Sequence, residues 1–255
     1  MPRAKGGIRV QHWPVHEIAA DARFRVVREM PPLPAALDAE VDRLWAAAQI
    51  RMGGRLFNGR VFSADLITPR LVCGHWTEFR RIVAQMDRHA LHPLLGVRPL
   101  AVGGVILGPD GVVFGRRPAG AIYQAGEWQL PPAGSVDPGA AGGAGAVDVV
   151  RQFLTELQEE LGLPASAVHD PRLLCIVEHG GSHVLDLGVA VRTSLSAAEI
   201  RAAHAGHGNG EYDPLAVVAL PALPAFLARA GALLNHQAPV FLARALGKRI
   251  GFLSD

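Results

Sequence analysis

The chain has 255 residues, 49% of them hydrophobic and 19% charged, enough apolar material for a sizeable core and too much for wholesale disorder. Its 25 Lys and Arg against 23 Asp and Glu leave a formal charge of +2, which excludes the broad basic field of a general nucleic-acid binder. Two cysteines, Cys73 and Cys175, lack the spacing of a zinc site or a disulfide framework and point to a reduced, cytoplasmic setting; no apolar run approaches the roughly 20 residues of a membrane span.

Residues 1–33 read as an arm, rich in proline and mixed charge, whose Arg3, Lys5 and Arg9 are not followed by the apolar run of a secretory signal. Leu37, Val41, Leu44, Trp45 and Ala48 then mark one face of a helix starting near Pro34. Alternation from Leu56 to Ile67 predicts strand, and His75 to Arg88 predicts a helix from about Thr77, so residues 34–98 form an N-terminal α+β extension. A second unit, residues 99–230, opens on an apolar strand from Leu100 to Leu107. A Pro109-Asp110-Gly111 turn and a returning strand from Val112 to Gly115 complete a hairpin. A Gly-rich loop from Pro131 to Gly145 leads into a helix from Val147 to Leu161, then strands near Leu173 to Val177 and Val184 to Val191. Leu215 to Leu227, broken by Pro221 and Pro224, predicts a core strand followed by a loop, and residues 231–255 a helical C-terminal segment. The fold class is α/β, a sandwich built on a mixed sheet. The Gly/Ala stretch from Pro138 to Ala146 is expected to be mobile without ligand, since glycines raise the entropy cost of ordering it.

On a helical wheel Val149, Val150, Phe153, Leu154, Leu157 and Leu161 fill one arc, with Glu156, Glu159 and Glu160 together at its edge. Like charges three and four residues apart repel, so the cluster asks for a compensating cation, and a hard oxygen-seeking ion such as Mg²⁺, or Mn²⁺ in its place, suits it. On spacing alone a solvated acidic face is the favoured reading. Context decides between them. Trp128-Gln129-Leu130-Pro131-Pro132-Ala133-Gly134-Ser135-Val136-Asp137-Pro138-Gly139, followed by Thr155-Glu156-Leu157-Gln158-Glu159-Glu160-Leu161-Gly162-Leu163, resembles the box of the Nudix hydrolases, matching it at Gly134, Glu156, Leu157, Glu159, Glu160, Gly162 and Leu163. The sequence departs from the family at Ala140, where the loop carries a Glu, at Thr155, where the helix carries an Arg, and in the seven-residue run Ala140–Ala146 that lengthens the loop.

The resemblance implies a Nudix α/β/α sandwich and a metal-dependent pyrophosphohydrolase. Glu156 and Glu160 are then metal ligands, Glu159 a ligand or the water-activating base, and the carbonyl of Ala133 or Gly134 a further ligand. Glu211 occupies the region where many members place a late carboxylate, and a plain turn acid would look the same. Arg116 and Arg117, at the end of the returning strand, are expected either to contact phosphate or to form a solvated pair. Arg151 is a candidate replacement for the missing Arg. Trp128 reads as packing, Cys175 as a buried strand residue, and His204 and His207 as surface or supporting groups. Leu56-Phe57-Asn58-Gly59-Arg60-Val61-Phe62 and His75-Trp76-Thr77-Glu78-Phe79 are similar to segments of the UDP-glucose-hydrolysing Nudix branch, which puts Asn58 among the substrate contacts and makes UMP and glucose 1-phosphate the implied products. The alternatives are an ADP-ribose, dinucleotide or coenzyme A pyrophosphatase, and a noncatalytic nucleotide-binding Nudix module. In each case the partner is a small nucleoside diphosphate derivative, with neither nucleic acid nor membrane.

Overall fold

The computed structural model describes residues 13–121 and 124–247; Arg3, Lys5, Arg9 and residues 248–255 of the expected C-terminal segment lie outside them. The N-terminal part runs β1 (Val15–Glu17), β2 (Arg23–Val26), α1 (Ala35–Arg51), β3 (Arg60–Ile67), β4 (Leu71–Glu78), α2 (Phe79–Asp87) and α3 (His92–Leu95). There follow β5 (Leu100–Gly108), β6 (Gly111–Arg116), β7 (Trp128–Gln129), β8 (Ala133–Ser135), β9 (Ala146–Val147), α4 (Val149–Leu161), β10 (His169–Glu178), β11 (Leu185–Arg192), α5 (Ala197–His207), β12 (Leu215–Val218), α6 (Leu223–Ala230) and α7 (Gln237–Leu246).

Eight strands form one mixed sheet in the order β1-β10-β11-β5-β6-β12, with β8 added to β5 and β7 to β6. β11 runs parallel to β5 in unbroken register from Leu185 opposite Leu100 to Arg192 opposite Leu107. Both strands are apolar along nearly their whole length, as strands buried on two faces must be. Even-numbered β5 residues such as Val102 and Ile106 meet Phe153, Leu157 and Leu161 of α4 and Ile200 of α5. The opposite face, with Val105, Phe114, Leu174 and Ala190, meets Leu223 of α6 and Ala238, Phe241 and Leu242 of α7. Helices on both faces give the α/β/α sandwich.

Four strands form a second sheet in the order β3-β4-β2-β9. Phe24, Phe62 and Val72 of this sheet belong to the same buried cluster as α4, and α1 and α2 close its far side through Val41, Leu44 and Ile82.

Several expectations need correction. Residues 13–33 are no arm: β1 pairs with β10 at the edge of the large sheet, and β2 lies between β4 and β9 in the small one. The helix expected from Thr77 begins only at Phe79, because Leu71–Glu78 is claimed by pairing with β3 and β2, a tertiary demand that overrides local pattern. The stretch after β12 is helical rather than a loop; Pro224 sits at the start of α6, where its missing N–H costs nothing. The Pro138–Ala146 stretch is tied down. Ala140 is buried and its carbonyl accepts from Asp148 N at 2.8 Å, Gly142 N donates to Ala146 O at 2.8 Å, Arg25 Nη2 donates to Ala144 O at 2.8 Å, and β9 pairs with β2. Small side chains let this loop approach other backbone closely, and that gain offsets the entropy of its glycines.

Candidate active site

α4 is framed by local chemistry. Asp148 caps its start by accepting from Arg151 N at 2.9 Å. Gly162 ends it at φ +66°, a conformation that suits glycine, and a Cβ there would stand 2.6 Å from His207 Cβ and 2.7 Å from Ala203 O of α5. The helix is therefore fixed in length and in rotation.

That rotation turns Glu156 and Glu160, one turn apart, toward β8. Glu160 is buried; its Oε2 accepts from Ala133 N at 2.9 Å, and the buried Tyr212 hydroxyl lies beside it. Glu156 Oε1 accepts from Gln152 Nε2 at 2.8 Å. Its carboxyl presses on Gly134 so closely that a Cβ at that position would lie 2.1 Å from Glu156 Cδ. Burial pushes Glu156 up to about 7 and Glu160 up to about 8, and neighbouring negative charges add to it. For Glu156 those neighbours are Glu159, Asp137 and Glu211, and for Glu160 they are Glu156 and Glu211. Glu159 stays exposed.

This donor set suits a hard divalent ion. The acids are all oxygen ligands, and desolvation with the neighbouring negative charge shifts Glu156 and Glu160 toward the neutral form, a shift that a bound cation would oppose. Among the described residues, however, no three His, Cys, Asp or Glu side chains are gathered tightly enough to hold an ion by themselves. The fit is thus to an ion held by one or two carboxylates that keeps waters or takes phosphate oxygens, the usual habit of Mg²⁺.

A cavity of about 430 Å³ borders β8 next to this pair. Ala133, Gly134 and Ser135 form part of its wall, α1 and α2 a second part, and Arg117, Gln124, Gln129 and Glu211 one end. Glu156 and Glu160 are not among its lining residues; Glu211 connects the two regions, since it faces the cavity and its charge bears on both carboxyls.

The other expected site residues divide clearly. Arg117 pairs with Glu211 through Nη1, so both belong to the cavity end. Arg116 instead donates from Nε to Gly126 O at 3.0 Å and holds the loop after β6. Asn58 does not line the cavity: its Oδ1 accepts from Arg80 N at 2.8 Å and caps α2. Arg151 does not reach the carboxylates; its guanidinium donates to Gly139 O and anchors the inserted loop. Trp128 packs edge-on to Phe226, and Cys175 is fully buried in β10, its thiol pushed up to about 12 by desolvation. His204 and His207 lie on α5, where backbone and side-chain atoms of both crowd Gly208 or Gly162. Sequence reasoning missed Gln152, Tyr212 and Asp186. The first had a signal, an amide four residues before an acid on one helix face, whereas the other two reach their places only through the sheet.

No family model matches the chain, and no curated protein matches it. Among solved structures, a protein of Deinococcus radiodurans aligns at 15% identity over 57% of this chain and 82% of its own, with a TM-score of 0.42. A Nudix-family hydrolase from Clostridium perfringens aligns at 15% identity over 58% and 95%, with a TM-score of 0.37. A bifunctional NMN adenylyltransferase/ADP ribose pyrophosphatase from Francisella tularensis aligns at 10% identity over 66% and 52%, with a TM-score of 0.42. Likenesses this distant decide nothing about chemistry, which rests on the side chains.

Proposed function

We propose that the chain is a Nudix-type, Mg²⁺-dependent hydrolase that splits the pyrophosphate bond of a nucleoside diphosphate linked to a small moiety, with a UDP-sugar such as UDP-glucose as substrate. The observation that carries this reading is the Glu156–Glu160 pair, two carboxyls one helical turn apart, both desolvated and each under the repulsion of neighbouring acids. A protein gains nothing in stability from such a pair, because burying like charges or forcing them neutral both cost free energy. A functional role accounts for its presence.

In this reading Glu156 and Glu160 hold the metal ion. The ion, when bound, neutralises phosphate oxygens and makes a water acidic enough to attack phosphorus. The protein's own groups do the positioning. Gln152 fixes one oxygen of Glu156, Ala133 N–H fixes one of Glu160, and Gly134 leaves room for the carboxyl that a side chain would displace. Glu159, exposed next to the pair, is free to take the proton of the attacking water. Arg117 supplies the fixed positive charge at the cavity end, and substrate phosphate would compete with Glu211 for it. The choice of UDP-sugar rests on the N-terminal segments that are similar to that branch.

The test is hydrolysis of UDP-glucose, ADP-ribose, a dinucleoside polyphosphate and coenzyme A, each with Mg²⁺ and with EDTA. UDP-glucose is expected to give UMP and glucose 1-phosphate only with metal. Glu156→Gln and Glu160→Gln should lower turnover by about a hundredfold or more while the fold persists. Cleavage of another member of the panel in preference would replace the substrate; wild-type turnover in both variants would overturn the site.

A further inference from the structure

The far end of the cavity holds a polar group that neither the proposed chemistry nor the packing uses. Asp186 is second in β11, where neighbours alternate between the two faces of the sheet. Leu185 and Leu187 point to the α4 side, so Asp186 points to the α7 side. There it stands beside Ala101 of β5, which in turn stands beside Ser135 of β8. All three line the cavity. Asp186 is 8% exposed and has no hydrogen-bond or salt-bridge partner among the described residues. Desolvation alone pushes its carboxyl up to about 7. Gln237, the first residue of α7, also lines the cavity, is 7% exposed and leaves its Oε1 without a partner. The buried amide oxygen left unsatisfied costs stability on the order of 1–3 kcal/mol, and a carboxyl desolvated without a partner is costly too. Both lie in the wall of the same cavity.

We propose that Asp186 and Gln237 recognise the base of the nucleotide, with Asp186 acting as a neutral acid that donates its O–H to an acceptor on the base edge and accepts from the N–H beside it. Uracil, adenine and cytosine each offer such an edge, one donor next to one acceptor; the N1–H and N2–H of guanine, two adjacent donors, are the complement of an ionised carboxylate. Desolvation by an entering ring favours the neutral form further. The charged groups around the cavity are already matched, Arg51 with Asp87 at 2.7 Å on the α1–α2 side and Arg117 with Glu211 at the other end. None of them partners Asp186. Phe79 and Met86 of α2, together with Met52 just after α1, supply apolar surface for the ring faces. In the sheet β5 and β8 lie between Asp186 and the Arg117 end, so one cavity offers a base end and a phosphate end. The assignment rests on the nucleotide reading above but not on catalysis.

The experiment is calorimetric binding of UMP, AMP, GMP and ribose 5-phosphate to the full chain in EDTA, where nothing turns over. UMP or AMP should bind at least about tenfold more tightly than ribose 5-phosphate, which has the same sugar and phosphate but no base. Asp186→Leu should remove that advantage. Asp186→Asn should keep it within about threefold, since an amide also presents one donor beside one acceptor. Gln237→Leu should weaken UMP or AMP and leave ribose 5-phosphate unchanged. Thermal melting at or above the wild-type temperature in the Leu variants checks folding, because each replaces an unsatisfied buried polar group with an apolar one. Equal binding of ribose 5-phosphate and the nucleotides, or unchanged nucleotide binding in Asp186→Leu, overturns the base pocket. Preference for GMP, or loss in Asp186→Asn equal to that in Asp186→Leu, overturns the neutral-acid pairing. Base-dependent binding with no hydrolysis of any substrate would sink the proposed function and leave this inference standing.

Discussion

Gly134 and the two acids behind it form a unit whose parts fail together. A methyl group at Gly134 would overlap the Glu156 carboxyl, so Gly134→Ala should displace that carboxyl and lower turnover by about a hundredfold, with a change in melting temperature of only a few degrees. Steady-state kinetics beside a thermal melt would show whether geometry rather than folding is lost. The titration of the pair carries a second expectation. Without metal, the folded protein holds Glu156 and Glu160 near 7 and 8, above the ordinary carboxylate range, so it binds protons more tightly than the unfolded chain. Stability is then fully present at low pH, up to the ordinary carboxylate range, and is lost as pH rises through about 7 to 8. Asp186, near 7, contributes with the same sign. Melting temperature in EDTA should fall across this window, the fall should shrink in Glu160→Gln, and excess Mg²⁺ should suppress it. A flat profile in EDTA would show that the pair is hydrated and ionised.

At the scale of elements, the glycine-rich stretch before α4 behaves against its composition. β9 is only two residues long, yet its pairing with β2 joins the loop to the small sheet. The amide of Val147, cross-strand from Phe24, should therefore exchange far more slowly than amides in an unstructured glycine loop. Exchange within seconds at neutral pH in the ligand-free protein would restore the expectation of mobility. The contrast shows what a sequence can disclose. α4 was legible because thirteen residues carry a 3.6-residue period and three glutamates in one stripe, and the β5–β6 hairpin because Pro109-Asp110-Gly111 separates two apolar runs. β1, β2 and β9 were not legible, since strands of two to four residues are too short to show a period. The same limit hid the role of Asp186, which depends on parallel pairing with a strand more than 80 residues earlier in the chain.

Across the whole molecule, the N-terminal strands act as stitches. Phe24 is buried in the cluster that includes α4, so Phe24→Ala should cost about 3–5 kcal/mol and lower the melting temperature by roughly 10 °C. Because that cluster spans both sheets, probes placed in α1 and in α7 should report one common unfolding transition; two separate transitions would mean that the sheets unfold independently. The stitching also orders events during synthesis. β1 has its partner in Glu17↔Cys175 through Val15↔Val177, and β2 has one of its two in Val147. A strand cannot pair before its partner has been made, and a ribosome adds about 5–20 residues per second. β1 must therefore wait for most of the chain to follow, whereas β2 can take β4 early and waits only for β9, and a nascent chain stalled between β4 and β10 presents open strand edges to chaperones and to other nascent chains on the same message.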